Sequence, residues 1–375
     1  MKIIITLAFI LSLKSSFGGP VLSMNRAFNA VIELIPFLVH EDQFKDKKND
    51  VIIKTHLKEL GNAFKTAGHD NLIKHDLFAP SYELLTEDIH EMTKSFEDGK
   101  KDYSFWMMKE TMTMCLDCHA RLPQGVTSSF QNGELSVNTQ KIQTPYELGL
   151  AYMIVRRFVD AKQNFTRDIQ DNIIRKNFSE IIPPLKHILM IETKIKKDPV
   201  TMISIIDDYT RKNNFPSLMT EELRGWKRRL LIWKDEKLLS GLSNESELKD
   251  FIKRRLLPLK RKGEYKDEFK VDLLFASGII STYFFENQNS PSAPEIGLWL
   301  GWIEKRLKKD EFMSSGDLFL KQCIRKYSKQ PVAKECLEEY KESVEFDFTG
   351  SGGTSIPKEI ARELEDLEKL VYPKK

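Results

Sequence analysis

The segment Phe105–His119, FWMMKETMTMCLDCH, combines a helical pattern with a cluster of reactive side chains. Its stripe residues recur in steps of three and four: Phe105, Met108, Met112, Cys115 and His119. This spacing is typical of an amphipathic helix that buries one face, and Pro123 is expected to end the helix. The last five residues form the pattern Cys-x-x-Cys-His. We therefore predict a helix that carries two thiols and an imidazole at its C-terminal end.

The Cys-x-x-Cys-His pattern is the attachment sequence of a c-type haem. In such sites both thiols add across the haem vinyl groups, and the adjacent histidine binds iron on one face. A thioredoxin-like dithiol would lie in a strand–helix–strand context, which this helical pattern does not provide. Half of a zinc site is the other alternative, but no second pair of clustered ligands occurs in the sequence to complete it. We predict one covalent haem c on Cys115 and Cys118, with His119 as an axial iron ligand.

Residues 1–18 have the pattern of a secretory signal peptide. Lys2 is the positive charge, residues 3–13 form the apolar core, and Ser16 and Gly18 are the small residues near the cleavage point. This core is too short to span a bilayer, so we expect an exported chain without a membrane span after signal cleavage. Export together with a haem-attachment motif predicts the periplasm of a Gram-negative bacterium. That oxidising compartment would allow Cys323 and Cys336 to form a disulfide.

The composition is that of an ordinary globular chain. Of 375 residues, 41% are hydrophobic and 30% are charged, and the net charge is only +3. So small a charge argues against a nucleic-acid partner. No Gly-x-Ser-x-Gly or His-Glu-x-x-His pattern occurs. We therefore expect an electron carrier rather than an enzyme.

Three apolar stripes precede the motif helix, and together the four helices predict an up-down-up-down bundle over residues 20–125. The stripes cover residues 21–38, 53–67 and 82–96. In such a bundle the end of the fourth helix lies beside the start of the first helix and beside the loop between the second and third. Met24 and the loop histidines His69 and His75 are thus expected near the motif. His40 and His56 are expected at the opposite end. Arg121 is expected on a solvated face, with an ion pair to a haem propionate as the alternative.

This arrangement resembles the class II cytochromes c, the cytochrome c′ and cytochrome c-556 group, across about a third of the chain. The resemblance implies a four-helix bundle in which His119 holds the fifth iron position. Low-spin members use a methionine near the start of the first helix as the sixth ligand, and Met24 lies at the matching place. His75 and His69 are alternative sixth ligands. High-spin members leave that position open and bind small gases there.

The second half of the chain is expected to be helical nearly throughout. We assign residues 126–144 to a linker, 145–258 to a helical domain, 259–348 to a repeat region, and 349–375 to a C-terminal linker and helix. The first helix of the helical domain is predicted over residues 145–164. The run Gly297–Gly301, GLWLG, is similar to the Trp-x-x-Leu-Gly signature of tetratricopeptide repeats, although its spacing is shifted. This resemblance implies an α-solenoid-like, TPR-like domain that binds a protein partner; a helical domain without a partner is the alternative.

The fold class expected from these patterns is all-α: a four-helix-bundle cytochrome followed by a TPR-like helical domain. The expected function is electron transfer to a periplasmic redox partner by a mono-haem c-type cytochrome. One alternative is a haem-based gas binder or sensor, with CO or NO at an open sixth position. Another is a non-catalytic assembly scaffold in which the haem is structural.

Overall fold

The computed structural model describes residues 18–67, 73–122, 142, 144–261, 267–309 and 315–373. These residues are almost entirely helical, which confirms the all-α class. The predicted signal peptide before Gly18, most of the predicted linker and His69 lie outside the described residues. None of the described helices is both long enough and apolar enough to cross a membrane.

The first part of the chain supplies the helices predicted from the apolar stripes. In the described part of residues 18–122 these are α1 (Gly18–Val39), α3 (Asp50–Ala67), α4 (Ala79–Glu97) and α5 (Lys101–Arg121); a further short helix, α2 (Glu41–Lys45), was not predicted. Helix α1 packs on α3, α3 on α4, and α4 on α5. The stripe residues Leu57, Met92 and Met108 are fully buried. Burial of one apolar face per helix therefore holds these helices together.

The second part adds a longer series of helices. They are α6 (Pro145–Ile154), α7 (Phe158–Arg175), α8 (Ile182–Met190), α9 (Pro199–Lys212), α10 (Ser217–Trp233), α11 (Glu245–Phe251), α12 (Leu257–Arg261), α13 (Lys270–Glu286), α14 (Ala293–Lys309), α15 (Gly316–Lys326), α16 (Pro331–Asp347) and α17 (Lys358–Val371). A π-helical turn, Ile191–Ile195, continues α8, and a second, Ile252–Leu256, joins α11 to α12. Before α17, Thr349–Gly350 and Gly353–Thr354 form a short antiparallel hairpin.

The segment from 145 to 164, which the pattern predicts as one helix, is in fact broken. Helix α6 ends at Ile154 and α7 begins at Phe158. Arg156 between them has a left-handed backbone, with φ of 60°, and the Arg157 amide donates to the Tyr152 carbonyl at 2.8 Å. A residue in this conformation cannot continue a right-handed helix and closes its C-terminal end. Helix α6, which follows the predicted linker in the sequence, packs against α1 and α5.

A disulfide joins the last helices. Cys323 on α15 and Cys336 on α16 have their sulfur atoms 2.07 Å apart and their Cα atoms 6.3 Å apart, as the sequence predicted. Helices α13 to α16 pack on one another in chain order.

Position 278 on α13 requires glycine, because the backbone of another segment of the chain lies too close for a side chain. A Cβ atom added there would lie 2.0 Å from the Lys194 carbonyl oxygen in the first π-helical turn. Because that obstacle is backbone, we expect Gly278→Ala to destabilise the fold by about 1–3 kcal/mol. Urea unfolding followed by circular dichroism would measure the loss.

Gly61 on α3 provides the matched control. The nearest atom to its added Cβ would be 3.5 Å away, which is ordinary contact. Gly61→Ala should therefore stabilise the helix by about 0.5–1 kcal/mol. If Gly278→Ala were as stable as Gly61→Ala, the close approach of α13 to Lys194 would be wrong.

Candidate functional site

An apolar cavity lies where α1, α3, α4, α5 and α6 meet, and the Cys-x-x-Cys-His side chains form one of its walls. Cys115, Cys118 and His119 line it together with Ala27, Phe28, Val31, Phe64, Ile73, Phe78, Tyr82, Leu85, Leu122, Ile154 and Val155. The cavity volume is about 110 Å³, and the space between the walls is about 890 Å³ when the part open to solvent is included. A macrocycle would therefore occupy the mouth as well as the interior.

His119 is held in the tautomer that a metal ligand requires. Its Nδ1 is hydrogen-bonded to the carbonyl oxygen of Ile154. A carbonyl can only accept, so Nδ1 carries the proton and the neutral ring leaves Nε2 unprotonated. Burial, followed by the nearby Arg156 charge, lowers the pKa of His119 to about 4. The imidazole is therefore neutral at physiological pH, with Nε2 available to bind a metal.

The acceptor for His119 exists because α6 ends where it does. The last carbonyls of a helix have no partner within the helix, and Ile154 is the final residue of α6. The sequence around the break reads Val155-Arg156-Arg157, with no glycine or proline to signal a helix end. The sequence pattern therefore gives no sign of this hydrogen bond, and the predicted domain boundary puts residue 154 in a separate domain.

Neither thiol of the motif has the lowered pKa of an activated cysteine. Cys115 and Cys118 are free cysteines. Burial raises the pKa of Cys115 to about 12 and that of Cys118 to about 11. A redox dithiol instead depends on a lowered thiol pKa. Among the described residues, no group of three or more His, Cys, Asp and Glu side chains is placed to hold a metal ion.

The register of α1 relates Met24 to the cavity. Ala27, Phe28 and Val31 line the cavity, and Met24 precedes them by three, four and seven residues along the same helix. Residues at these spacings share one helix face. The side chain of Met24 lies outside the described part of the structure, so its role as the sixth ligand stays a prediction.

His75, the alternative ligand, is engaged elsewhere. Its Nδ1 accepts from the Leu77 amide at 3.1 Å, and its Nε2 donates to the Phe285 carbonyl at 3.2 Å. It does not appear among the described residues that line the cavity. His40 lies 3.4 Å from Glu147 in the first turn of α6, so the length of α6 separates it from Ile154.

A cluster of buried charges lies beside the motif and connects it to the second half of the chain. Asp117, between the two cysteines, pairs with Arg121 at 2.8 Å and with Lys194 at 3.2 Å. Lys194 also pairs with Glu304 on α14 at 3.0 Å. The Ser315 hydroxyl donates to Asp117 at 2.6 Å. We call Asp117, Arg121, Lys194 and Glu304 the buried charge cluster.

The buried charge cluster corrects the expectation for Arg121. The side chain is 2% exposed and not solvated, and it donates to the Leu77 carbonyl at 2.7 Å and to the Ser81 hydroxyl at 2.9 Å. Burial alone would raise the pKa of the Asp117 carboxyl, but Arg121 and Lys194 hold it below its usual range. The cluster brings two cations together with two carboxyl groups, so each buried charge has a partner. Burial raises the pKa of the second carboxyl, Glu304, and Lys194 opposes that shift.

No protein-family model, curated protein or solved structure matches this chain. Function therefore has to be inferred from the cavity and the side chains around it.

Proposed function

We propose that this chain is a mono-haem c-type cytochrome that transfers electrons to a partner protein. Cys115 and Cys118 would hold the haem covalently, and His119 would bind iron through Nε2. The observation that supports this most is the hydrogen bond from His119 Nδ1 to Ile154. It leaves Nε2 as the ligand atom in an apolar cavity that both thiols also line.

Each part of the cavity would have a separate task. A haem iron bound here would supply one-electron chemistry. The Ile154 carbonyl fixes the imidazole ring and makes it a more basic ligand. The apolar side chains of α1 and α4, such as Phe28 and Leu85, exclude water from the cavity. Helices α1, α3, α4 and α5 would form a bundle of the class II cytochrome type, with α6 as a fifth wall.

The rest of the proposal concerns location and partners. The N-terminal segment would direct export to the periplasm, where the disulfide between Cys323 and Cys336 can form. The α13–α16 helices would form the TPR-like module that binds a protein partner.

The sixth iron position can be tested by spectroscopy. We expect ferric protein produced with a haem-ligation system to be low-spin, with the far-red band of sulfur-to-iron ligation. Met24→Ala should abolish that band and give a high-spin spectrum, because a methionine sulfur is the proposed ligand. Optical and electron paramagnetic resonance spectra of both proteins would measure the change.

Met114→Ala is the matched control, since Met114 lies on the motif helix but is not among the described cavity-lining residues. It should leave the spectrum unchanged. Low-spin iron that persists in Met24→Ala would move the ligand to His69 or His75. Wild-type protein without covalent haem would overturn the whole proposal.

Gas binding is a second candidate. It is favoured by the α1 wall of the cavity, where Ala27, Phe28 and Val31 offer no ligand atom. If the protein binds gases, we expect a high-spin ferric spectrum in the wild type and reversible CO binding by the ferrous form.

A further inference from the structure

A second cavity lies where the C-terminal end of α5 meets the π-helical turn Ile191–Ile195 and α13. Its volume is about 280 Å³, and its walls are mostly polar, unlike those of the apolar cavity. A cavity of roughly 150 Å³ is enough to hold a molecule the size of benzene, so this one has room for a small ligand. The charged residues in its described lining are Arg121, Lys194, Lys196, Lys197 and Glu286.

Most of the cations in this lining already have a carboxyl partner. Arg121 and Lys194 belong to the buried charge cluster, where Asp117 pairs with both. Lys196 pairs with the buried Glu192 at 3.1 Å. Lysine 162 pairs with the same carboxylate at 2.9 Å, so one negative charge there serves two ammonium groups.

Lys197 differs from these cations because its hydrogen-bond partner is neutral. Its Nζ donates to the Thr282 hydroxyl at 3.0 Å, and that hydroxyl donates in turn to the Gly278 carbonyl at 2.8 Å. Burial lowers the pKa of Lys197, and the charge of the exposed Glu286 offsets only part of this effect. An ammonium group has three donors. Thr282 uses one of them, which leaves two for a ligand.

We infer that this polar cavity binds a small oxyanion of the size of phosphate, with Lys197 Nζ as its main donor. The oxygen atoms of such an ion accept hydrogen bonds, and these bonds are strong when the donor carries a charge. The ion would supply a negative partner to a cation that otherwise contacts a neutral hydroxyl, and a buried charge is costly without such a partner. The inference does not rest on haem attachment.

Lys197→Gly removes the donor without straining the backbone. Lys197 has a left-handed φ of 56°, which glycine adopts more readily than a residue with a side chain. We therefore expect the variant to fold at least as well as the wild type. The wild-type full-length protein should bind inorganic phosphate saturably, and Lys197→Gly should bind it about tenfold more weakly or worse, because a charged donor is lost. Isothermal titration calorimetry at neutral pH, with ionic strength held constant by sodium chloride, would measure both.

Lys176→Gly is the matched control. Lys176 has the same left-handed conformation, with φ of 57°, but it is exposed at the end of α7 and is not among the described residues that line the cavity. Its loss should leave phosphate binding unchanged. Circular dichroism would establish that both glycine variants are folded. Should Lys197→Gly fail to fold, Lys197→Met removes the same donor and keeps an unbranched stem.

Three results would overturn the inference. One is a wild type without saturable phosphate binding at constant ionic strength. Another is wild-type affinity in a folded Lys197 variant. The third is an equal loss in Lys197→Gly and Lys176→Gly, since that would assign the effect to the net charge of the protein. A chain that bound phosphate but attached no haem would contradict the proposed function alone.

Discussion

A Cys115→Ser/Cys118→Ser double variant should carry no covalently bound haem, whereas the wild type should carry one per chain. The proposed attachment forms thioether bonds from these two sulfur atoms, and a serine hydroxyl does not replace a thiol in that reaction. Both proteins would be produced with the same haem-ligation system. Denaturing extraction followed by the absorbance of the pyridine complex would measure haem that stays with the chain.

The chain provides its own control for the loss of two cysteines. Cys323→Ser/Cys336→Ser removes the pair joined between α15 and α16. It should keep its haem and lose about 3 kcal/mol of stability, because the closed loop no longer restricts the unfolded chain. Haem retained covalently by the Cys115→Ser/Cys118→Ser variant, or equal haem loss in both double variants, would contradict the assignment of the attachment site.

Lys194→Met should destabilise the fold by about 3–5 kcal/mol, because it removes one partner of a buried ion pair and leaves the other partner buried. Lys194 is 2% exposed and is the cation that lies between Asp117 and Glu304. Without it, Arg121 would be the one cation of the cluster left with two buried carboxyl groups, Asp117 and Glu304. Urea unfolding at neutral pH would measure the change.

The companion variants test whether the loss is electrostatic. Lys194→Met/Glu304→Gln restores the balance between Asp117 and Arg121, so we expect the double variant to recover part of the loss in a double-mutant cycle. Lys212→Met removes an exposed cation that pairs with Asp208 at 2.8 Å and should change stability by less than about 1 kcal/mol. A Lys194→Met effect as small as that of Lys212→Met would show that the buried charge cluster contributes little.

Local patterns predicted the helices well where a helix follows one continuous stripe. Burial of Leu57, Met92 and Met108 agrees with the periodicity that predicted α3, α4 and α5. The prediction of one helix over residues 145–164 was wrong, because an apolar pattern does not reveal the left-handed turn at Arg156. The prediction that Arg121 is exposed to solvent was also wrong. A single charged residue at a helix end is expected to be exposed unless its partners are known.

The sequence by itself determined the all-α class and the association of two thiols with one imidazole. Cys115, Cys118 and His119 lie within about one turn of a helix, so their proximity is a local property. Tertiary structure decided what surrounds them. The partner of His119 is 35 residues away, and two of the partners of Asp117, Lys194 and Ser315, are 77 and 198 residues away. Such pairs form only when separate helices pack. Helical periodicity indicates which face of a helix is buried, but not which residue of another helix that face contacts.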